Sequence, residues 1–179
     1  MNRVIVVGTT GSGKTTLAGQ LAQKMDCPFI ELDALFWNPG WVKTPPDEFR
    51  QRVAEAIAPE RWAAGGNYGT ARDLVWQRAD TLIWLDYPLS LILSRLFRRT
   101  TRRIISQEEL WHGNRESFRN AFLSRDSLFL WALQSNPKQR RTWPLELQKP
   151  EYAHLRVFHF HRPRETQAWL DSFAADERG

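Results

Sequence analysis

The sequence predicts an α/β protein, a three-layer sandwich with a five-stranded parallel sheet between helices. Two observations predict it. Short apolar runs alternate with segments of helical periodicity along most of the chain, the pattern of parallel strands joined by right-handed helical crossovers. The first run also opens into Gly8-Thr9-Thr10-Gly11-Ser12-Gly13-Lys14-Thr15, which fits the phosphate-binding pattern G-x-x-x-x-G-K-[ST] at every fixed position. Its flanks are the required ones: Val4-Ile5-Val6-Val7 reads as a buried strand, and Leu17, Ala18, Leu21, Ala22 and Met25 as the packed face of a helix.

Each residue type in that loop has a physical reason. Glycines at 8, 11 and 13 let the backbone curl so that successive N–H groups point at phosphate oxygens. Lys14 can reach the β- and γ-phosphates as a mobile charge, and the Thr15 hydroxyl can ligate Mg²⁺. The helix N-terminus adds its partial positive charge. Ser12 belongs to the same cradle, and Thr16 is placed for an α-phosphate.

With 179 residues the chain suits one domain, 1–179, carrying an insertion. The net charge of +5 and pI near 9.8 favour anionic ligands without demonstrating nucleic-acid binding. Cys27 is the only cysteine, which excludes an intramolecular disulfide and disfavours a cysteine metal site. No leader-like segment and no membrane-length apolar run is read, so a cytoplasmic protein is expected. Nine tryptophans fit an aromatic core, a stacking surface or a partner interface equally.

Pro28–Leu32 reads as the second strand, placing Asp33 at the sheet end where open α/β folds bind ligands. Ala34–Lys43, with Trp37 and Trp41 around Asn38-Pro39-Gly40, reads as a loop. Pro45-Pro46-Asp47 opens a helix with Phe49, Val53, Ala56 and Ile57 buried. Trp62–Ala64 is the third strand, followed by the turn Gly65-Gly66-Asn67-Tyr68-Gly69. Thr70–Asp73 reads as a capping box for a helix through Arg78. Thr81–Leu85 is the fourth strand. Pro88 starts a long helix with Leu89, Ile92, Leu93, Leu96 and Phe97 as its apolar face and Arg95, Arg98, Arg99, Arg102 and Arg103 together opposite. Residues 106–150 form a helical insertion, with a helix from about Glu116 to Leu133 that Asn136-Pro137 ends and a basic tail, Lys138 to Arg141. Leu155–Phe160 is the last strand. The closing helix presents Ala168, Trp169, Leu170 and Phe173 as its apolar side.

The phosphate loop, Asp33, the Gly65–Tyr68 turn, the Asp86-Tyr87-Pro88 strand end and the arginine-rich helix together resemble the small P-loop kinases, of which adenylate kinase and shikimate kinase are reference types. Within them the chain looks most like bacterial adenylate-kinase-related DNA topology modulation proteins, in which an L-D-x-x-x-W stretch, a G-N-Y turn and an arginine-rich helix follow in this order. The resemblance implies a P-loop NTPase sheet ordered 2-3-1-4-5, ATP and Mg²⁺ as cofactors, an acceptor between the second and third strand ends, and a lid made by the insertion.

Carried onto this sequence, the resemblance makes Lys14, Asp33, Arg95 and Arg99 candidate catalytic residues. Gly8, Gly11, Ser12, Gly13, Lys14, Thr15 and Thr16 would hold the polyphosphate, with Arg162 and Arg164 against the base. Asp33, Trp37, Gly66, Asn67 and Tyr68 would meet the acceptor, Thr15 the metal, and Glu31 the metal through water. Plainer readings stand beside these. Asp33 also suits a turn cap, Glu31 a solvent-facing position, Gly65–Tyr68 ordinary turn chemistry and the arginines a solvated face. His159 and His161 share a strand face but lack a third metal ligand in the sequence. Asp86 suits a helix cap or an arginine anchor. The expected activity is transfer of the ATP γ-phosphate to a small acceptor. Adenylate is doubtful as that acceptor, because the D-G-[FY]-P-R pattern is missing. The alternative is a nucleotide-regulated nucleic-acid-binding ATPase, with Lys138, Arg140 and Arg141 joining the arginine helix. A GTPase is disfavoured by the lack of N-K-x-D.

Overall fold

The computed structural model describes residues 1–116 and 127–176. Seven strands and seven helices are formed among them: β1 (Arg3–Gly8), α1 (Lys14–Met25), β2 (Phe29–Glu31), α2 (Leu32–Phe36), β3 (Trp37–Asn38), β4 (Val42–Lys43), α3 (Pro46–Ala56), β5 (Trp62–Gly65), α4 (Arg72–Arg78), β6 (Thr81–Leu85), α5 (Leu89–Ser106), α6 (Leu128–Leu147), β7 (Arg156–Phe160) and α7 (Pro163–Asp176).

The main sheet runs β2-β5-β1-β6-β7 with all its pairs parallel. Counting only its five strands in chain order gives 2-3-1-4-5, the expected arrangement. Both faces of the central strands β5, β1 and β6 are covered, so these are almost wholly buried, whereas β7 at the sheet edge is largely exposed, and β1 divides its side chains between two cores. Val4 and Val6 pack with Leu17, Leu21, Ile92 and Leu170 on one side. Ile5 and Val7 pack with Phe49, Val53, Val75, Trp76 and Trp143 on the other.

The tryptophans fall into distinct environments. Trp62, Trp76, Trp84 and Trp143 are buried, and Trp143 makes edge contacts with Trp76 and Trp84 at 6.1 and 5.2 Å. Trp37, Trp41 and Trp111 are half-buried in one edge-to-face series. Trp169 packs on Phe158, Phe160 and Phe173, and Trp131 is exposed.

Several expectations are corrected. Ala34–Lys43 is not a plain loop: α2 occupies Leu32–Phe36, and β3 and β4 pair around a tight turn. Two-residue strands are too short to show alternation. Thr70 and Asp73 do not form a capping box, because α4 begins after Ala71 with no side-chain cap. Asp73 instead receives both Arg50 guanidinium nitrogens at 2.7 Å, and the Thr70 carbonyl accepts from Arg50 at 2.6 Å. A bidentate charged pair outcompetes one backbone N–H. On α7, Thr166 and Leu170 are buried whereas Ala168 is exposed.

The largest correction is in the insertion. Asn136-Pro137 does not end a helix, since α6 continues from Leu128 to Leu147 through both Pro137 and Pro144. Each proline removes one helical hydrogen bond, so tertiary contacts must hold the helix. They are specific. Ala132 packs into the α1/α5 core, and Trp143 into the opposite core. Between them, Asn136 and Gln139 bond Thr9, and Arg140 bonds Asp86. Helix α6 therefore crosses the C-terminal edge of the sheet from one face to the other. Glu116 is not helical, and residues 117–126 of the helix expected to begin there, with Phe118 and Phe122, lie outside the described residues.

Candidate active site

The phosphate loop leaves β1 at Gly8 with φ 151°. A Cβ there would stand 2.7 Å from the Leu85 carbonyl oxygen and 2.8 Å from Ser12 Oγ, so only glycine permits this exit. Gly11 and Gly13 also take positive φ. The Ser12 hydroxyl is buried without a hydrogen-bond partner, and α1 begins at Lys14, its N-terminus at the loop. Lys14 Nζ donates to the Thr9 carbonyl at 3.1 Å. Burial lowers its pKa to about 8; Asp33 and Glu31 counter that shift, and Arg99 adds to it.

Two carboxylates stand beyond the lysine because β2 ends at Glu31 and α2 starts at once. Thr15 Oγ1 donates to Glu31 Oε1 at 3.1 Å, and the Trp111 indole donates to Glu31 Oε2 at 2.7 Å. Thus the hydroxyl and carboxylate expected near Mg²⁺ are neighbours. Tyr68 donates its hydroxyl proton to Asp33 Oδ1. Burial, then the Asp33 charge, hold the Tyr68 pKa well above its ordinary value, which keeps it a proton donor. Gly66 makes this meeting feasible: its Cβ would stand 2.6 Å from Leu32 Cβ, so any side chain would push the Tyr68 turn off α2. Trp37 is half-buried against Phe36 and Trp41. Asn67 lines a small cleft with Arg72 and Trp76 beneath the turn.

The arginines of α5 do not share one face. Arg95, Arg99 and Arg103, spaced by four residues, turn inward, and Arg98 and Arg102 are exposed. Arg95 Nη1 donates to the Ser12 carbonyl at 3.2 Å and lies over the Tyr87 ring. Arg99 is held below its ordinary pKa by burial first and by Arg103 second, with Glu116, Asp33 and Glu31 acting against this. Its Nε has no acceptor. Arg103 is neutralised by Glu116 at 3.1 Å and Glu108 at 3.4 Å.

Lys14, Asp33, Glu31, Arg95 and Arg99 are thus brought to one place. Arg162 and Arg164 are not: both are exposed at the start of α7, and their side chains have no partner among the described residues. Thr16 is exposed on the first turn of α1. Sequence reasoning missed three connections. Trp111 reaches back 80 residues to Glu31. Asn114 is buried and ties the segment after α5 to the β3–β4 hairpin through Asn38 and Trp41. Thr9 donates to Gln139 at 3.1 Å and accepts from Asn136 at 3.2 Å, fastening the phosphate loop to α6. No local signal marks these contacts, although a proline in a long helix flanked by Asn and Gln hints at a polar docking face.

The donor set fits a polyphosphate: a glycine loop with no room for a side chain at Gly8, an orphaned Ser12 hydroxyl, a half-buried lysine and a half-buried arginine whose Nε has no acceptor. The Thr15 and Glu31 oxygens suit Mg²⁺.

The fold is an α/β sandwich with a phosphate loop after its first strand, an architecture it shares with solved structures of small kinases. Residues 4–62 match the family described as ATPase family associated with various cellular activities (AAA). Among solved structures, shikimate kinase from Bacteroides thetaiotaomicron is similar at 16% identity and TM-score 0.58, covering 99% of each chain. A gluconokinase from Sinorhizobium meliloti is similar at 18% identity and TM-score 0.52, covering 99% of this chain and 95% of that one. Shikimate kinase from Acinetobacter baumannii, solved with shikimate, is similar at 19% identity and TM-score 0.51, over 98% and 94% of the two chains. A comparison with curated proteins finds no match.

Proposed function

We propose that this protein transfers the γ-phosphate of ATP to a hydroxyl of a small acceptor bound beside Asp33. The observation that carries the proposal is the electrostatic convergence of Lys14, Arg99, Glu31 and Asp33 around the loop, with Tyr68 fixing Asp33. Phosphoryl transfer is chiefly positioning and charge stabilisation, and these groups are of the kinds it needs. The loop N–H groups, Ser12 and Lys14 would hold the polyphosphate, and Thr15 with Glu31 would hold Mg²⁺, whose charge would supply electrostatic stabilisation there. Asp33 orients the acceptor hydroxyl and takes its proton. Arg95 and Arg99 face the transferring group from α5, and Trp37, Trp41 and Trp111 exclude water.

The similarity in fold to a gluconokinase and a shikimate kinase supports a polyhydroxylated acceptor. The nucleic-acid reading draws less support, because Arg95 and Arg103 turn inward onto the Ser12 carbonyl and Glu116, and Arg140 is paired with Asp86.

The deciding experiment incubates the protein with ATP, Mg²⁺ and a panel of sugars, sugar acids, polyols, nucleosides and nucleotides. Transfer to one class, abolished by Lys14→Ala, is the expected result. Failure across the whole panel with folded, ATP-binding protein removes the proposal.

Nucleotide binding should also be linked to protons. Free Lys14 loses its charge as pH rises through about 8, whereas bound phosphates favour its charged form. Binding above that pH therefore takes up a proton, and affinity falls by up to about tenfold per pH unit. Calorimetry in buffers of different ionisation enthalpy measures the uptake, and Lys14→Ala should abolish it.

A further inference from the structure

We propose that Asp86, His159 and His161 form a binding site for a divalent transition-metal ion of the zinc class. The sequence supplies the two histidines, alternate residues at and just beyond the end of β7. The fold supplies the third ligand, since Asp86 follows β6, the neighbouring parallel strand, and its N–H continues the pairing to the Phe160 carbonyl at 2.9 Å. His159 Nε2 lies 3.2 Å and His161 Nδ1 3.4 Å from the same oxygen, Asp86 Oδ2. All three ligand atoms lie within 4.8 Å of one another. Ligands of a tetrahedral zinc at ~2.0–2.1 Å stand about 3.3 Å apart, so the two closest separations already match and small ring rotations complete the site.

The surroundings orient the ligands. Arg140 Nε holds Asp86 Oδ1 at 2.6 Å, leaving Oδ2 to face the imidazoles. The His159 ring stacks on Trp84 with centroids 4.0 Å apart and planes 4° from parallel. Such outer partners fix ligand direction in metal sites. Two imidazoles and one carboxylate select zinc, cobalt, nickel or copper over magnesium or calcium, which take oxygen ligands. Asp86 is buried, but the His161 side chain is 60% exposed, so the ion has an entry path and the remaining coordination positions face water. The Arg140 charge lowers affinity for a cation and makes the site a reversible one.

The location gives the site a consequence. Asp86 also carries the Arg140 contact of α6, and Asn136 and Gln139 of the same helix hold Thr9 in the phosphate loop. A bound ion would fasten the β7 end to Asp86 and so brace the helix that touches the loop.

Cobalt and zinc titrations of the full chain test this, without nucleotide. One equivalent of Co²⁺ should give visible d–d bands of a nitrogen-ligated site, bleached by Zn²⁺, and Zn²⁺ should raise the melting temperature. His161→Ala, at an exposed position, and His159→Ala should each weaken binding at least about tenfold. His112→Ala and His154→Ala should bind as the parent does. No binding by the folded parent at ~100 μM free Zn²⁺ would overturn the site, leaving a hydrogen-bonded cluster only. So would binding that survives both His159→Ala and His161→Ala, or that is lost on Glu31→Gln instead.

Discussion

Asp33→Asn is expected to lower turnover by about 10²- to 10⁴-fold, the range for losing a positioned general base, with ATP affinity nearly unchanged. Asp33 sits in the first turn of α2 with Oδ1 accepting from Tyr68, and its charge is felt by both Lys14 and Arg99. The amide keeps the size and one acceptor but cannot take a proton. Tyr68→Phe should lower kcat by less, because it removes the group that aims the carboxylate rather than the carboxylate itself. Steady-state kinetics on the acceptor found by the panel separate the two. Asp33→Asn with unaltered kcat would return Asp33 to the role of a turn residue.

Arg99→Met is expected to cost about 10³-fold in transfer, the lower range for an arginine that stabilises phosphoryl-transfer charge, without destabilising the free protein. Arg99 is held below its ordinary pKa by burial and by Arg103, and its Nε is buried without an acceptor. Replacing such a charge by an apolar side chain of similar length is often neutral or stabilising. Activity and stability should therefore move apart, and thermal melts beside single-turnover rates measure both. A large fall in melting temperature would instead make Arg99 a structural counter-ion of Glu116, Asp33 and Glu31.

Much of this architecture is legible in the sequence because its causes are local. A buried parallel strand must be apolar on both faces, so Val4–Val7 and Thr81–Leu85 stand out, and α1 shows the helical spacing of Leu17, Leu21 and Met25. The arginine helix is only partly legible. Spacing groups the five side chains, but which of them turn inward depends on where Ser12 and Glu116 lie. Local rules fail at Asn136-Pro137, where docking against Thr9, Asp86 and Trp84 outweighs the proline penalty. They fail at Asp73 too, where a partner 23 residues away takes the carboxylate.

By itself the sequence determined the phosphate loop, the strand and helix on either side of it and the acid following the second strand, because each depends on backbone shape and periodicity over a few residues, whereas the strand order followed only from the family resemblance. Only the tertiary structure decided the rest. It joined Tyr68 to Asp33 and Trp111 to Glu31, laid α6 across the sheet edge onto the loop, and gave His159 and His161 the carboxylate of Asp86. All of these join residues far apart in the chain, and their meeting depends on strand adjacency and helix docking, which no local pattern encodes.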